Sequence, residues 1–303
     1  MSYVLCLDCG ATNVRAMIVD DRGAIVAKAS QPNATDAGAE NPEYHVWNAD
    51  RILNQLAECS RKALAEVDTA DVKAVTITTF GVDGALVDAD GKQLYPVISW
   101  KCPRTAEVMK RVEQYIPQDR LNTVSGVGAF AFNTIYKMIW LKENRPELLD
   151  GAKAWLFMPN LLAFRLTGEM HTDRTMAGTS QMTDLKTGDW SEEILGAIGI
   201  RKDLFPPMKA AGESLGCLTA EACELLGLPQ SVPVISTGHD TQFALFGSGV
   251  GENQPFLSSG TWEILMLRTP KAALEPADYA AGATVEYDSK AGLLNPGLQG
   301  IAS

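Results

Sequence analysis

Two segments of this chain have residue types and spacing suited to holding phosphate, and a third, apolar segment leads to a carboxylate. The first is Val4-Leu5-Cys6-Leu7-Asp8-Cys9-Gly10-Ala11-Thr12-Asn13-Val14-Arg15-Ala16. The second is Phe256-Leu257-Ser258-Ser259-Gly260-Thr261-Trp262-Glu263-Ile264-Leu265-Met266. Each reads as an apolar strand, a tight turn holding Gly and Thr, and a second strand, as if one device were built twice. Such a turn presents backbone N–H groups and a hydroxyl on one side, which suits phosphate oxygens. Two of them facing each other would hold a polyphosphate between two lobes. A single hairpin of this kind is usually only a turn. Here the apolar run Val232 to Ile235 adds a third strand that leads to Gly238-His239-Asp240. No Gly-x4-Gly-Lys-[Ser/Thr] occurs, so a P-loop is excluded, and no Gly-x-Gly-x-x-Gly opens a helix, so a dinucleotide fold has no support.

The elements that must position these residues read as an α/β arrangement. Tyr3–Leu7, Val14–Val19 and Ala24–Ala29 form a meander, and Asn33 to Glu43 is a loop. Arg51 to Val67 is an amphipathic helix burying Ile52, Leu56, Cys59 and Ala63, with Asn48 as its cap. Val72–Thr79 is a strand apolar enough for burial on both faces, ending in Phe80-Gly81-Val82-Asp83-Gly84. Ligands of such sheets gather where strands end, which places Asp83 and Asp240 as candidates for one cleft. Asp83 also suits a plain turn residue, and Asp240 a helix N-cap before Thr241–Leu245. His239 also suits a residue that only shapes its turn, and Arg15 reads as a surface strand residue. Residues 104–220 read as mostly helical. Within them lie helices Thr134 to Asn144 and Trp155 to Leu166, the latter closed by Thr167-Gly168, and a Thr/Ser/Gly-rich stretch from Thr172 to Met182 expected near the cleft. Phe246 to Gly251 reads as a hinge.

With 303 residues, 46% hydrophobic and 21% charged, the chain has room for about two domains with a sizeable core. Its net charge of −11 argues against nucleic acid or an anionic membrane as partner. No apolar run is long enough to predict a membrane span, and the N-terminus does not read as a signal peptide. Of the six cysteines, Cys6 and Cys9 should be checked as a metal or redox pair. Strand alternation puts them on opposite faces, and no second Cys-x-x-Cys completes a zinc site. Reduced thiols in a cytoplasmic protein are the expectation.

These residues are similar to those of the FGGY family of carbohydrate kinases, within the actin/hexokinase/Hsp70-like superfamily. Asp8-Cys9-Gly10-Ala11-Thr12-Asn13-x-Arg15 resembles the family's first phosphate loop, and Ser258-Ser259-Gly260-Thr261-Trp262 resembles its second. Phe132-Asn133-Thr134-Ile135-Tyr136-Lys137-Met138-Ile139-Trp140-Leu141-Lys142-Glu143-Asn144 resembles its N-terminal signature, and Gly238-His239-Asp240 its catalytic-base motif. The resemblance extends through Thr78 to Asp88, Ile98 to Thr105 and Gly238 to Gly247. It implies an actin-like, ribonuclease H-like ATPase fold: a complete first lobe over residues 1–245 and the beginning of a second, nucleotide-binding lobe over 246–303. The second lobe stops about 55 residues after it opens. It is therefore expected to lack the family's adenosine loop, leaving ATP affinity and turnover of this polypeptide in question.

The resemblance also implies chemistry. ATP and Mg²⁺ would be the cofactors and L-fuculose the acceptor ketose, with Asp240 as catalytic base. Asp8 would serve the metal; Asp8, Gly10, Thr12, Asn13, Gly260 and Thr261 would serve the nucleotide phosphates. Asp83, Gly84, His239 and Arg104 would contact the sugar. Two other readings stay open: a kinase of the same family for L-rhamnulose, D-ribulose, D-xylulose or a polyol, and a non-catalytic sugar- or partner-binding remnant. Homo-oligomerisation is left open too.

Overall fold

The computed structural model describes residues 1–259 and 262–301. Its centre is a six-stranded sheet ordered Ser214–Cys217, Pro233–His239, Val72–Thr79, Tyr3–Cys9, Asn13–Asp20, Ile25–Pro32. The last three form an antiparallel meander, and Tyr3–Cys9, Val72–Thr79 and Pro233–His239 run parallel. Their carboxyl ends therefore lie side by side, with Cys9 and His239 both paired to Thr79. That shared edge gathers Asp8, the Phe80–Asp83 loop and Asp240 in one place.

Local chemistry explains most of these elements. Tyr3–Cys9 alternates, so Leu5, Leu7 and Cys9 are buried while Cys6 and Asp8 are half-buried on the other face. Cys6 and Cys9 are both free thiols on opposite faces, and burial first of all pushes each thiol up, that of Cys6 to about 11. The helix Ala49–Leu64 starts where Asn48 accepts a hydrogen bond from Arg51 N, and its buried face carries Ile52, Leu56, Cys59 and Ala63. It packs on the sheet together with helices Met158–Thr167 and Ala220–Leu226, around the larger of two apolar cores. The second core surrounds helix Thr134–Asn144, which is apolar on nearly every side.

Three elements depart from the sequence reading. Trp155 to Leu166 is not one helix: Ala154–Phe157 is a strand paired antiparallel with Gly84–Val87, and the helix begins at Met158 with Pro159 in its first turn. Proline cannot donate within a helix, so it fits the start and not the interior. The stretch 104–220 is less helical than expected, its helices alternating with strands of two to four residues. Val72–Thr79 has one buried face, the other being half-buried.

A second, four-stranded antiparallel sheet is ordered Phe256–Ser259, Trp262–Met266, Leu294–Ile301, Ala283–Tyr287. It leans on the first body through Ala283–Tyr287: Val285 N donates to Gly126 O at 2.7 Å and the Tyr287 hydroxyl to Asp184 O at 3.1 Å. Leu257, Leu265 and Leu298 of this sheet are exposed. Among the described residues no helix is long and apolar enough to cross a membrane.

Candidate functional site

A cavity of about 240 Å³ opens at the shared strand edge. Ala11 of the first hairpin and Ser258 of the second both line it, with His239, Asp240 and Thr241 between them. Phe80, Gly81, Val82, Trp100, Phe130, Phe132, Asn133 and Thr179 line it from the first body, and Thr284, Glu286 and Gln299 from the second sheet. The two hairpins thus face one space. Gly260 and Thr261, expected in the second turn, lie outside the described residues.

The turn carrying Asp240 is held from behind. Gly238 has φ +122°, and a Cβ there would meet Asp173 Oδ1 at 2.0 Å, so the close approach admits only glycine. Asp173 caps helix Arg174–Gly178 through Met176 N at 2.9 Å and accepts from Thr175 Oγ1 at 2.6 Å and Ser236 Oγ at 3.0 Å. Thr175 Oγ1 in turn accepts from His239 N at 2.9 Å. His239 is the residue that caps helix Asp240–Gly247, and Asp240 is its first helical residue, not the cap. Asp240 Oδ1 accepts from Thr241 N at 2.7 Å, and the side chain is 39% exposed to the cleft. Loss of water raises its carboxyl above the usual range, with His239 opposing.

His239 is bracketed by carboxylates. Its Nδ1 lies 3.0 Å from Glu286 Oε2, and its Nε2 lies 3.5 Å from Asp240 Oδ1. Burial works against its charge, yet Glu286 above all pushes it up to about 9. Glu286 also accepts from Gln242 at 2.8 Å and Gln299 at 3.2 Å. The ring packs on Gly81, where a Cβ would meet Nε2 at 3.0 Å.

Asp173 gives a pH signature. Burial above all pushes its carboxyl up to about 6, outweighing its hydrogen bonds. The native state then holds this proton to higher pH than the unfolded chain, whose carboxyl titrates near ~4, so stability falls as pH rises between these values. Asp173→Asn should remove that slope. In urea melts, native stability relative to the variant should fall by about 3 kcal/mol between pH 3 and pH 7. A pH-independent difference would refute the shift.

The Phe80–Asp83 loop is over-determined. Val82 holds φ +62°, costly for a β-branched residue. Its N donates to Thr179 Oγ1, and its O accepts from Thr134 Oγ1 at 2.8 Å and Lys137 Nζ at 3.0 Å. Asp83 does not line the cavity. It is fully buried, paired with the equally buried Lys137, and accepts from Trp47 Nε1 at 2.7 Å and Trp100 N at 2.9 Å. Burial pushes Asp83 up and Lys137 down, each charge offsetting part of this for the other. Trp100 does line the cavity, and its indole Nε1 has no hydrogen-bond partner among the described residues. Gly84 backs onto Leu156 O, where a Cβ would stand 2.5 Å away, and so serves strand pairing. Arg104 is also off the cavity: its guanidinium stacks 3.9 Å over Tyr44 and 4.7 Å over Trp140 and donates to Tyr95 Oη at 3.0 Å.

The first turn is closed by Gly10 N donating to Asn13 O at 2.9 Å. Asn33 braces it, with Nδ2 donating to Gly10 O and N donating to Thr12 O. Thr12 is exposed, and Asn13 Nδ2 donates to its hydroxyl at 3.3 Å. Asp8 lies opposite Arg15 across the hairpin, 3.3 Å away; Arg15 is an exposed strand residue, as its sequence position suggests, that carries this ion pair. Burial raises the Asp8 carboxyl, Arg15 opposes this, and repulsion from Asp240 adds to it. Among the described residues no cluster of three or more His, Cys, Asp or Glu stands ready for a metal. The one half-buried carboxylate of this hairpin, Asp8, would instead suit a magnesium held mostly by water and phosphate oxygens.

Sequence reasoning missed Lys137, Asp173, Glu286 and Gln299. A lysine inside the apolar helix Thr134–Asn144 was itself a signal, since a buried ammonium needs a partner. Glu286 had no local signal.

Comparison with known proteins agrees with this geometry. Residues 3–247 match the N-terminal domain of the FGGY family of carbohydrate kinases. The chain is 56% identical over 300 residues to L-fuculokinase of Escherichia coli (strain K12), covering 99% of this chain and 64% of that protein. It is 43% identical over 308 residues to L-fuculokinase of Haemophilus influenzae, covering 100% of this chain and 65% of that one. The chain therefore spans just under two thirds of the length of these relatives. The crystal structure of xylulose kinase from Rhodospirillum rubrum superposes with a TM-score of 0.88 at 21% identity, over 99% of this chain and 61% of that one. It shares the fold. By the match of its first 247 residues and the identity of its relatives, the chain belongs to the FGGY family of carbohydrate kinases.

Proposed function

We propose that this protein phosphorylates L-fuculose with ATP, residues 1–245 forming the sugar lobe and residues 246–303 opening the nucleotide lobe. The observation that carries the reading is Asp240, a carboxylate at a parallel-strand end, facing a small cavity bounded by both hairpins. The 56% identity to an L-fuculokinase supports the choice of sugar.

In this reading Asp240 accepts the proton of a sugar hydroxyl as that oxygen bonds to the terminal phosphorus of ATP. The bond from that phosphorus to the bridging oxygen breaks, and ADP leaves. Trp100 and Asn133 orient the sugar from the first body, while Asp83 acts from behind by fixing Trp100 N. Thr12 and Asn13 hold phosphate oxygens. Asp8 would hold Mg²⁺ through water, and the ion, when bound, offsets phosphate charge.

The test is ADP release by the protein expressed over its whole reading frame, supplied with L-fuculose, L-rhamnulose, D-ribulose or D-xylulose. The highest kcat/KM is expected for L-fuculose. A higher value for another ketose would reassign the substrate. Sugar binding in calorimetry, with no turnover on any sugar, would favour a binding role. Asp8→Ala should lower turnover on the order of 10²-fold, the size for one charge-organising group, with ketose affinity little changed. A large rise in the sugar dissociation constant with unaltered metal dependence would remove Asp8 from that role.

A further inference from the structure

The second sheet reaches into the site through one buried side chain. Glu286 lies in strand Ala283–Tyr287, is 6% exposed, and puts Oε2 3.0 Å from His239 Nδ1. The other ring nitrogen faces Asp240 Oδ1 at 3.5 Å. A neutral imidazole has one N–H, so it can serve one carboxylate and must turn a lone pair toward the other. With a carboxylate on both sides the favoured ring is the imidazolium. Gln242 and Gln299 also donate to Glu286, at 2.8 and 3.2 Å, fixing the carboxylate toward the ring from two further elements. Asp173 adds a more distant negative charge behind the turn. The charges that act most strongly on His239 are anions: Glu286 from the second sheet, Asp240 from its own helix, and Asp173 from the start of helix Arg174–Gly178.

We propose that Glu286 is a positioning residue: through His239 it keeps the side chain of Asp240 ionised and oriented as the base, so that the second sheet takes part in building the sugar lobe's chemistry. The inference rests on Asp240 being the base in the proposed reaction. Asp240 sits where loss of water favours its protonated form, which cannot accept a proton. A cation on its inner side offsets that, and the cation exists because Glu286 faces the other nitrogen. His239 then touches the base more than the sugar. Glu286 itself does not reach the reacting atoms through this path.

Two measurements separate this role from a structural one. The first needs no turnover. The chain has three histidines, so His239 is assignable in long-range ¹H–¹⁵N spectra by comparison with His239→Gln. In the native chain both of its nitrogens should remain protonated at pH 7.5. In Glu286→Gln, whose amide can still accept from Nδ1–H, the ring should become neutral at that pH, while Glu286→Asp should restore part of the charged signal. A neutral His239 in the native chain, or a charged one unaffected by Glu286→Gln, would overturn the proposal.

The second is the pH profile of kcat/KM for ketose phosphorylation by the protein expressed over its whole reading frame. The acid limb of Glu286→Gln should move about one pH unit higher, about a tenfold loss on that limb, with activity recovering as pH rises and KM little changed. A uniform loss at every pH, or a change in KM alone, would mean that Glu286 only supports the fold. If the native protein phosphorylates no ketose, the functional reading fails, and the spectra still decide whether Glu286 charges His239.

Discussion

Asp240→Asn is expected to lower ketose phosphorylation by about 10²–10⁴-fold, the usual cost of losing a general base, while sugar binding stays measurable. The amide keeps the shape of the carboxylate and still accepts from Thr241 N, the bond that fixes Asp240 Oδ1 at 2.7 Å. What it loses is the capacity to take a proton. The backbone of the turn should not move, because Gly238, Asp173 and Thr175 hold it from behind. The sugar contacts proposed for Trp100 and Asn133 do not depend on this charge, since both side chains line the cavity apart from it. Steady-state rates with L-fuculose, together with calorimetric titration of the sugar, check both halves. A variant within a few-fold of native turnover would remove Asp240 from the role of base.

Lys137→Met is expected to destabilise the protein by about 3–5 kcal/mol, the range for stranding one member of a buried ion pair. Lys137 and Asp83 are both fully buried, and Lys137 is the only cation paired with Asp83 among the described residues. Trp47 Nε1 and Trp100 N still donate to the carboxylate after the change, but neither neutralises its charge. Asp83 must then take a proton or remain an isolated anion in an apolar interior. Val82 also loses one of the donors that hold its strained backbone. The double variant Asp83→Asn/Lys137→Met should recover a large part of the loss, because no charge is left unpaired. Urea unfolding of the two single variants and the double variant measures the coupling. Additive losses in the double variant would show that the pair does not act as a unit.

The same pair shows where the sequence stops being informative. Asp83 reads as a cleft candidate because it follows a buried strand, and the family resemblance implies its sugar contact. Its role in the fold depends on Lys137, 54 residues later on a helix that packs against it. Arg104, read beside it, was drawn away by Tyr44, Tyr95 and Trp140 from separate segments. Local sequence carries no record of such partners, since a side chain's environment is made by whatever the fold brings near.

What the chain determined on its own is local. Short apolar runs between turn residues marked the strands near Tyr3–Leu7, Val14–Val19 and Val72–Thr79, and the spacing of Ile52, Leu56, Cys59 and Ala63 set the first helix. Gly between strands marked both hairpins, and the run before Gly238 placed Asp240 at a strand end. Tertiary structure decided the rest. Ala154–Phe157 is a strand because Gly84–Val87 offers its unpaired backbone groups there, which outweighs an ambiguous local pattern. Glu286 enters the site because the second sheet docks on the first body, bringing it to His239 across 47 residues of sequence. A strand's periodicity says which face is buried; only the docking of one face on another says what that face meets.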